Sequence, residues 1–498
     1  MRVPGSRWFE AWYDSRYAVP VLLAVFILVW TVFQIVAFMP VDLEGDVLEV
    51  YAWGRHPAAG YYKHPPLGGL IAAAWFAIFP ARNWAAHLMA MSYAALSLYF
   101  VDLISRRYVR GDKRLLVLLL LMLTPFYQFH ADRFGSNQTL LATWPLAVYA
   151  FIQSFERRSA AWGAAAGATG ALAMLGKYYS VYLLGGLLVA ALAHPDRKRY
   201  WRSRAPWMSL ATGLLLVSPH LIWLRRTGYQ PFIYAYAEHG VTPLGALATV
   251  PGYLLGGAGY VALPLIAYWF AARPRKGQVL AAFWPRDKDQ HMLAVLLLVP
   301  LVLAPLSVPL LQVGLTSLWT MQAWFLLPVL LLLPDEIQVT RRAAVEVAAL
   351  VAAIALGALA ASPALVRLAV APVDEGRAYY SPLAVELTDR WRTVADTPLS
   401  IVMGDPKFAM AATFYAPAHP DSVPWFYFPA APWVTPARLE REGFAAVCRD
   451  SACVEQAMRI AGDRRGTRTQ RVEVVPRASG RARAPATFVL VFAPPTGG

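Results

Sequence analysis

The sequence predicts a membrane all-α protein of about eleven transmembrane helices with a small extracytoplasmic α/β domain at its C-terminal end. Three observations predict it. The 498 residues are 58% hydrophobic and 15% charged, with a mean hydropathy of +0.44. A soluble chain carries roughly 25% charged residues and under about 50% apolar ones. Apolar runs long enough to cross a hydrocarbon core of about 30 Å recur through the first three quarters of the chain. After residue 372 they give way to short apolar strands alternating with amphipathic stretches.

The first run, 18–39, follows Arg7 and Arg16 and stays bulky throughout. It is longer than a signal-peptide core and has no small-residue cleavage site, so it reads as a retained first span. Further runs lie near 66–79, 84–104, 115–130, 139–155, 160–175, 178–193, 206–223, 246–272, 291–312, 316–333 and 343–370. If every run spanned, the basic loop 106–114 and each later basic loop would lie outside, against the positive-inside rule. The weak run is 66–79: about 14 residues, roughly 21 Å of helix, bracketed by Pro65-Pro66 and Pro80. It is expected at the outer interface. Without it the N-terminus is cytoplasmic and the basic segments 106–114, 157–158, 197–204, 273–288 and 341–342 fall inside. Only Arg55, Lys63, Arg82, Arg133, Lys177, Arg225 and Arg226 are left outside. The expectation is a multi-pass protein of the cell inner (plasma) membrane, with the lipid bilayer as its surroundings.

The same sorting accounts for the net charge of +15 without nucleic acid, which is not expected as a partner. Residues 1–372 are read as the membrane domain and 373–498 as the second domain. In the second, strands are expected at 399–403, 423–428, 444–448 and 487–492, with an amphipathic stretch at 406–415. An odd number of spans puts this domain outside, where an oxidising compartment favours a Cys448–Cys453 disulfide; two free buried thiols are the alternative. The cysteines and histidines show no zinc-ligand spacing. Gly163 and Gly167 have the small-xxx-small spacing that lets two helices approach closely.

The chemistry concentrates in the first outside loop, 40–65. Asp42, Glu44, Asp46 and Glu49 follow the first span, then Tyr51, Trp53, Arg55 and His56, then Gly60-Tyr61-Tyr62-Lys63-His64-Pro65-Pro66. An ordinary loop with aromatics at the membrane interface would also carry Trp and Tyr. The order and spacing, however, resemble the signature loop of the GT-C membrane glycosyltransferases, nearest to glycosyltransferase family 39. That group includes the dolichyl-phosphate-mannose protein mannosyltransferases and the aminoarabinose transferases that modify lipid A. Asp132-Arg133-Phe134-Gly135-Ser136-Asn137, Gly176-Lys177-Tyr178 and Pro219-His220-Leu221 extend the resemblance over about residues 20 to 240.

The resemblance implies a GT-C-like fold and an inverting glycosyltransferase that takes a hexosyl or pentosyl unit from a polyprenyl-phosphate sugar donor. The acceptor would be an envelope glycolipid, glycan or protein on the outer face. Asp46 becomes the catalytic candidate. Glu49, Trp53, Tyr61, Tyr62, Lys63, His64, Arg133, Asn137, Lys177 and Tyr178 become the substrate-binding candidates. Two departures stand out. Lys63 occupies a position where the family often has Asp or Glu, and Asn137 one where it often has Asp. A divalent metal is thereby left open but unsupported, and no cofactor is certain.

The residues also make chemical sense on their own. A phosphate leaving group is already a stable anion. One carboxylate to take the acceptor's proton is enough, unlike the pair that glycosidases need. Cations would hold the phosphate as its charge develops. Asp46 is the candidate base and Lys63, Arg133 and Lys177 the candidate phosphate holders; snorkelling at the interface is the alternative for each cation. His220 and His239 read as hydrogen-bonded structural histidines, and the arginine run 464–483 as a solvated surface. A transporter or flippase of polyprenyl-linked lipids would share the spans and basic sites, but no paired halves with broken helices are visible. A non-catalytic envelope-assembly subunit would not need Asp46.

Overall fold

The computed structural model describes residues 15–284, 287–368, 376–477 and 485–496. The expected domain boundary at 372 and 373, Arg7, and the end of the arginine run beyond 477 lie outside the described residues. The chain forms two compact units. One holds the described parts of Met1–Thr31, Lys63–Leu67 and Leu88–Gly357; the other holds Val32–Tyr62, Gly68–His87 and the described parts of Ala358–Gly498.

Among the described residues, six helices are long and apolar enough to cross a membrane: Ala18–Ala37, Asn83–Tyr108, Ala205–Arg226, Pro243–Ala272, Lys288–Leu311 and Arg341–Ala364. Ser136–Arg157, Ala160–Gly176 and Val181–Ala193 are helical over three further expected runs. The run at 66–79 is the short helix Leu67–Phe76. The run at 316–333 is not one helix. It breaks into the 3-10 turns Ser317–Thr320 and Trp324–Leu326 before a single helical stretch, Leu327–Leu332. Pro328, in the first turn of that last stretch, has no N–H to continue an α-helical ladder back through 324.

Within the first unit, the small-residue spacing does what it predicts. A Cβ on Gly163 would run into the backbone of Ala205, and one on Gly167 into the carbonyl of Ser209. The helices Ala160–Gly176 and Ala205–Arg226 therefore touch backbone to backbone. At another place, fully buried Asp102 accepts hydrogen bonds from Arg106 and Arg114 at 2.6–3.1 Å. Two guanidinium partners compensate a carboxylate that burial alone would make very costly.

In the second unit a five-stranded sheet is built from β1 (Ile401–Gly404), β2 (Asp421–Pro424), β3 (Phe444–Cys448), β4 (Arg468–Val474) and β5 (Ala486–Ala493), in the order β2-β1-β3-β5-β4. β1 pairs parallel with β2 and β3, while β5 runs antiparallel to β3 and β4. The helix Pro406–Tyr415, predicted as an amphipathic stretch, makes the crossover from β1 to β2. Ile401, Met403, Val423, Phe444, Ala446 and Val491 form the buried centre. The expected strand at 423–428 stops at Pro424, because Trp425 and Phe426 both take left-handed backbone angles (φ 54° and 56°). Cys448 and Cys453 are bridged, with Cα atoms 5.4 Å apart.

Candidate functional site

The first loop is an ordered structure. Glu44 caps the helix Gly45–Gly54, its carboxylate accepting the Asp46 N–H at 2.8 Å. Asp46 thus sits in the first turn, where the partial positive charge of the helix N-terminus favours a carboxylate. One turn on, buried Glu49 accepts a hydrogen bond from the Tyr62 hydroxyl at 3.1 Å. Trp53 lies flat on Tyr61, with ring centres 4.8 Å apart and planes 7° from parallel. The Tyr61 hydroxyl donates to the Trp53 carbonyl at 2.9 Å, and burial pushes its pKa up to about 12. A Cβ on Gly69 would meet the Tyr61 ring at 2.7–2.9 Å, so glycine there makes room for the ring. Glu49, Trp53, Tyr61 and Tyr62 therefore form one packed group, one helical turn along from Asp46.

The same loop packs on the C-terminal sheet. His56 Nε2 lies 2.6 Å from Asp421 Oδ1, its ring stacked on Trp433 at 4.3 Å. Arg438 donates to the other Asp421 oxygen at 2.9 Å. Burial would raise the Asp421 pKa, but His56 and Arg438 outweigh it and hold the carboxyl below its usual value. Asp42 accepts from the Ser381 N–H at 2.7 Å, the Ser381 hydroxyl at 2.8 Å and Arg477 at 2.9 Å. The Arg377 guanidinium donates to the Asp42 carbonyl at 2.9 Å. Asp42 is thus tied to the C-terminal sheet domain, which makes it a structural carboxylate.

A second group lies in the first unit. Lys177 Nζ donates to Asn137 Oδ1 at 2.7 Å and stands 4.8 Å from the centre of the Trp319 ring. Lys63 Nζ stands 5.5 Å from the centre of the Tyr234 ring. Loss of water around His64 lowers its pKa well below the usual value, and the positive charges of Lys177 and Lys63 and nearby His239 push it the same way. Burial also lowers His239; Glu238 opposes this, while Lys177 and Lys63 reinforce it. Both imidazoles are therefore held neutral in a positive field set by two lysines. The amide of Asn137 anchors Lys177 without cancelling its charge, as a carboxylate there would do. Tyr178 completes the surroundings, its hydroxyl 2.9 Å from His220 Nε2 and its ring 4.7 Å from Phe232.

The structure brings Lys63, His64, Asn137 and Lys177 together and adds His239, which the sequence suggested only as structural. Arg133 keeps other company: its guanidinium is exposed, 3.9 Å from Asp132, and its charge acts on His130. Tyr234, in the segment after the run 206–223, and Trp319, in the run 316–333, were missed, because neither aromatic carries a local sign that a lysine will cover it. Among the described residues, no group of three His, Cys, Asp or Glu side chains could hold a metal ion. The lysine beside Asn137 would further repel a cation there.

A helical membrane fold with a small C-terminal sheet domain was expected from the sequence, and the comparisons agree with that fold. Residues 63–223 match the model of the family described as dolichyl-phosphate-mannose-protein mannosyltransferase. The chain shares its fold with the crystal structure of ArnT from Cupriavidus metallidurans bound to undecaprenyl phosphate, at a TM-score of 0.61 and 16% identity, covering 96% of this chain and 98% of that one. The apo state of the same ArnT gives a TM-score of 0.58 and 15% identity, over 95% and 98%. No curated protein matches the chain.

Proposed function

We propose that this chain is an inverting glycosyltransferase that moves one sugar from a polyprenyl-phosphate donor to a glycan, lipid or protein acceptor of the cell envelope, on the outer face of the inner membrane. The observation that carries the reading is the doubly cationic Lys63 and Lys177 group with its neutral imidazoles, His64 and His239. Such a group binds an anion through charge and through hydrogen-bond donors. The family match over 63–223 and the undecaprenyl phosphate in the ArnT structure support a polyprenyl phosphate as that anion.

In the proposed reaction the acceptor hydroxyl oxygen attacks the sugar's anomeric carbon from the face opposite the phosphate. Asp46 takes the hydroxyl proton. The bond from the anomeric carbon to the phosphate oxygen breaks, its electron pair stays on the phosphate, and the configuration inverts. Lys63 and Lys177 stabilise the added negative charge on the released polyprenyl phosphate. Glu49, fixed by Tyr62, and the Trp53–Tyr61 stack shape the loop that carries Asp46. The test is turnover of a panel of polyprenyl-phosphate hexoses and pentoses by the purified chain in lipid nanodiscs, with envelope glycolipid as acceptor. Release of polyprenyl phosphate that requires acceptor is the expected result. Transfer of the intact donor across a bilayer without its cleavage would replace the transferase with a flippase.

A further inference from the structure

The strand β2 is followed by a run of aromatics, Trp425-Phe426-Tyr427-Phe428, that the proposed reaction leaves unused. Trp425 is 52% exposed and Tyr427 42% exposed, although both are large rings in an otherwise well-packed domain. Trp425 and Phe426 hold left-handed backbone angles, a region that bulky L residues avoid. The turn is fixed by hydrogen bonds from the Trp425 N–H to the Gly404 carbonyl at 2.8 Å and from the Tyr427 N–H to the Pro424 carbonyl at 2.9 Å. Both exposed rings stand edge-to-face to Tyr62, with centres 6.3 Å away in each case. Tyr62 in turn donates its hydroxyl to the buried carboxylate of Glu49.

We infer that Trp425 and Tyr427, both edge-to-face to Tyr62, form a platform that binds a sugar ring of the substrate. A pyranose or furanose offers a face of electropositive C–H groups, which suits the negative face of an aromatic ring, and a rim of hydroxyls. The Tyr427 phenol can donate to or accept from such hydroxyls. Exposed aromatics could instead rest in the membrane interface. That use needs neither a strained backbone to aim the rings nor a buried Glu49 bonded to the tyrosine that both rings touch. The inference rests on the transferase reading for its substrate class, and its test does not. The sugar could belong to donor or acceptor; the recognition chemistry is the same.

The experiment uses the full chain in nanodiscs and saturation-transfer NMR with a panel of methyl glycosides: mannoside, glucoside, arabinoside and glucosaminide. At least one should receive saturation. Trp425→Gly removes the ring while suiting the left-handed backbone, so the variant should fold, and it should lower glycoside binding about 2- to 10-fold, as aromatic pairs do. Tyr427→Ala should do the same, and Trp425→Phe should retain most of the binding. Displacement of the glycoside by a farnesyl-phosphate sugar assigns the platform to the donor; persistence assigns it to the acceptor. Saturation of no glycoside, or equal saturation by Trp425→Gly, overturns the platform. Loss of lipid affinity with unchanged glycoside binding would make the rings a membrane anchor. A chain that binds glycosides through Trp425 yet turns over no donor would keep the platform and overturn the transferase.

Discussion

Replacing Lys177 with methionine removes the ammonium and keeps the length of the side chain. In the free protein Asn137 gives up a charge-assisted hydrogen bond, worth about 1.5–3 kcal/mol, and Trp319 a cation–π contact of about 0.5–2 kcal/mol. In the donor complex the loss is a charge-assisted hydrogen bond to phosphate, about 1.5–3 kcal/mol. At 1.4 kcal/mol per factor of ten, donor affinity or turnover should fall roughly 10- to 150-fold. A rise in KM alone would mean that Lys177 holds phosphate equally in ground and transition states. A fall in kcat would mean that it acts on the developing charge. Loss of the Lys177 charge should also let the His64 pKa rise, since that charge now helps hold it down. Steady-state release of polyprenyl phosphate, with Lys177→Arg beside Lys177→Met, makes the measurement. A kcat/KM within twofold of the parent for Lys177→Met would refute the placing of phosphate against this lysine.

Three further outcomes are expected. Asp46→Asn should lower kcat by about 10²–10⁴-fold with donor binding retained, whereas Glu49→Gln, which keeps an acceptor for Tyr62, should cost far less; near-normal turnover by Asp46→Asn with loss in Glu49→Gln would move the base role to Glu49. The Asp421 carboxyl is held below its usual value of 3.8, so its ion pairs stabilise the fold fully above about pH 4 and lose that effect as pH falls through the lower folded value. The melting temperatures of the parent and Asp421→Ala should therefore converge in acid, and a constant gap would disprove the linkage. Gly167→Val puts atoms into the Ser209 carbonyl and should destabilise by about 1–3 kcal/mol, read as earlier thermal unfolding in detergent; an unchanged transition would mean that the helix pair is not in backbone contact.

Much of the fold was legible because membrane spans and small-residue contacts are written locally. The run 18–39 became the helix Ala18–Ala37, and the Gly163–Gly167 spacing marked a real helix crossing. The failures are also physical. Hydropathy marks 316–333 as apolar but does not report that its backbone breaks into 3-10 turns. Aromatic residues at 425–428 favour a strand by propensity, yet the chain turns after Pro424. The loop motif pointed to Glu49, Tyr61, Tyr62 and Lys63 because their order is itself the signal. It could not show that His56 meets Asp421, since contacts 365 residues apart leave no trace in any local window. The neutral partner of Lys177 was visible as Asn137 in the sequence, but their 2.7 Å bond was not.

The anchoring of the first loop on the last domain sets a clock on biosynthesis. Asp42 waits for Arg377, 335 residues later, and His56 for Asp421, 365 residues later. At about 5–20 residues per second, the loop with Asp46 spends roughly 20–70 s in the growing chain before its partners exist. During that interval the first helix and its acidic loop have been made, but the sheet that fixes the loop has not. A ribosome stalled before codon 421 would therefore yield a chain with its membrane helices and without a settled first loop, so activity should arrive only after Asp421 has been made.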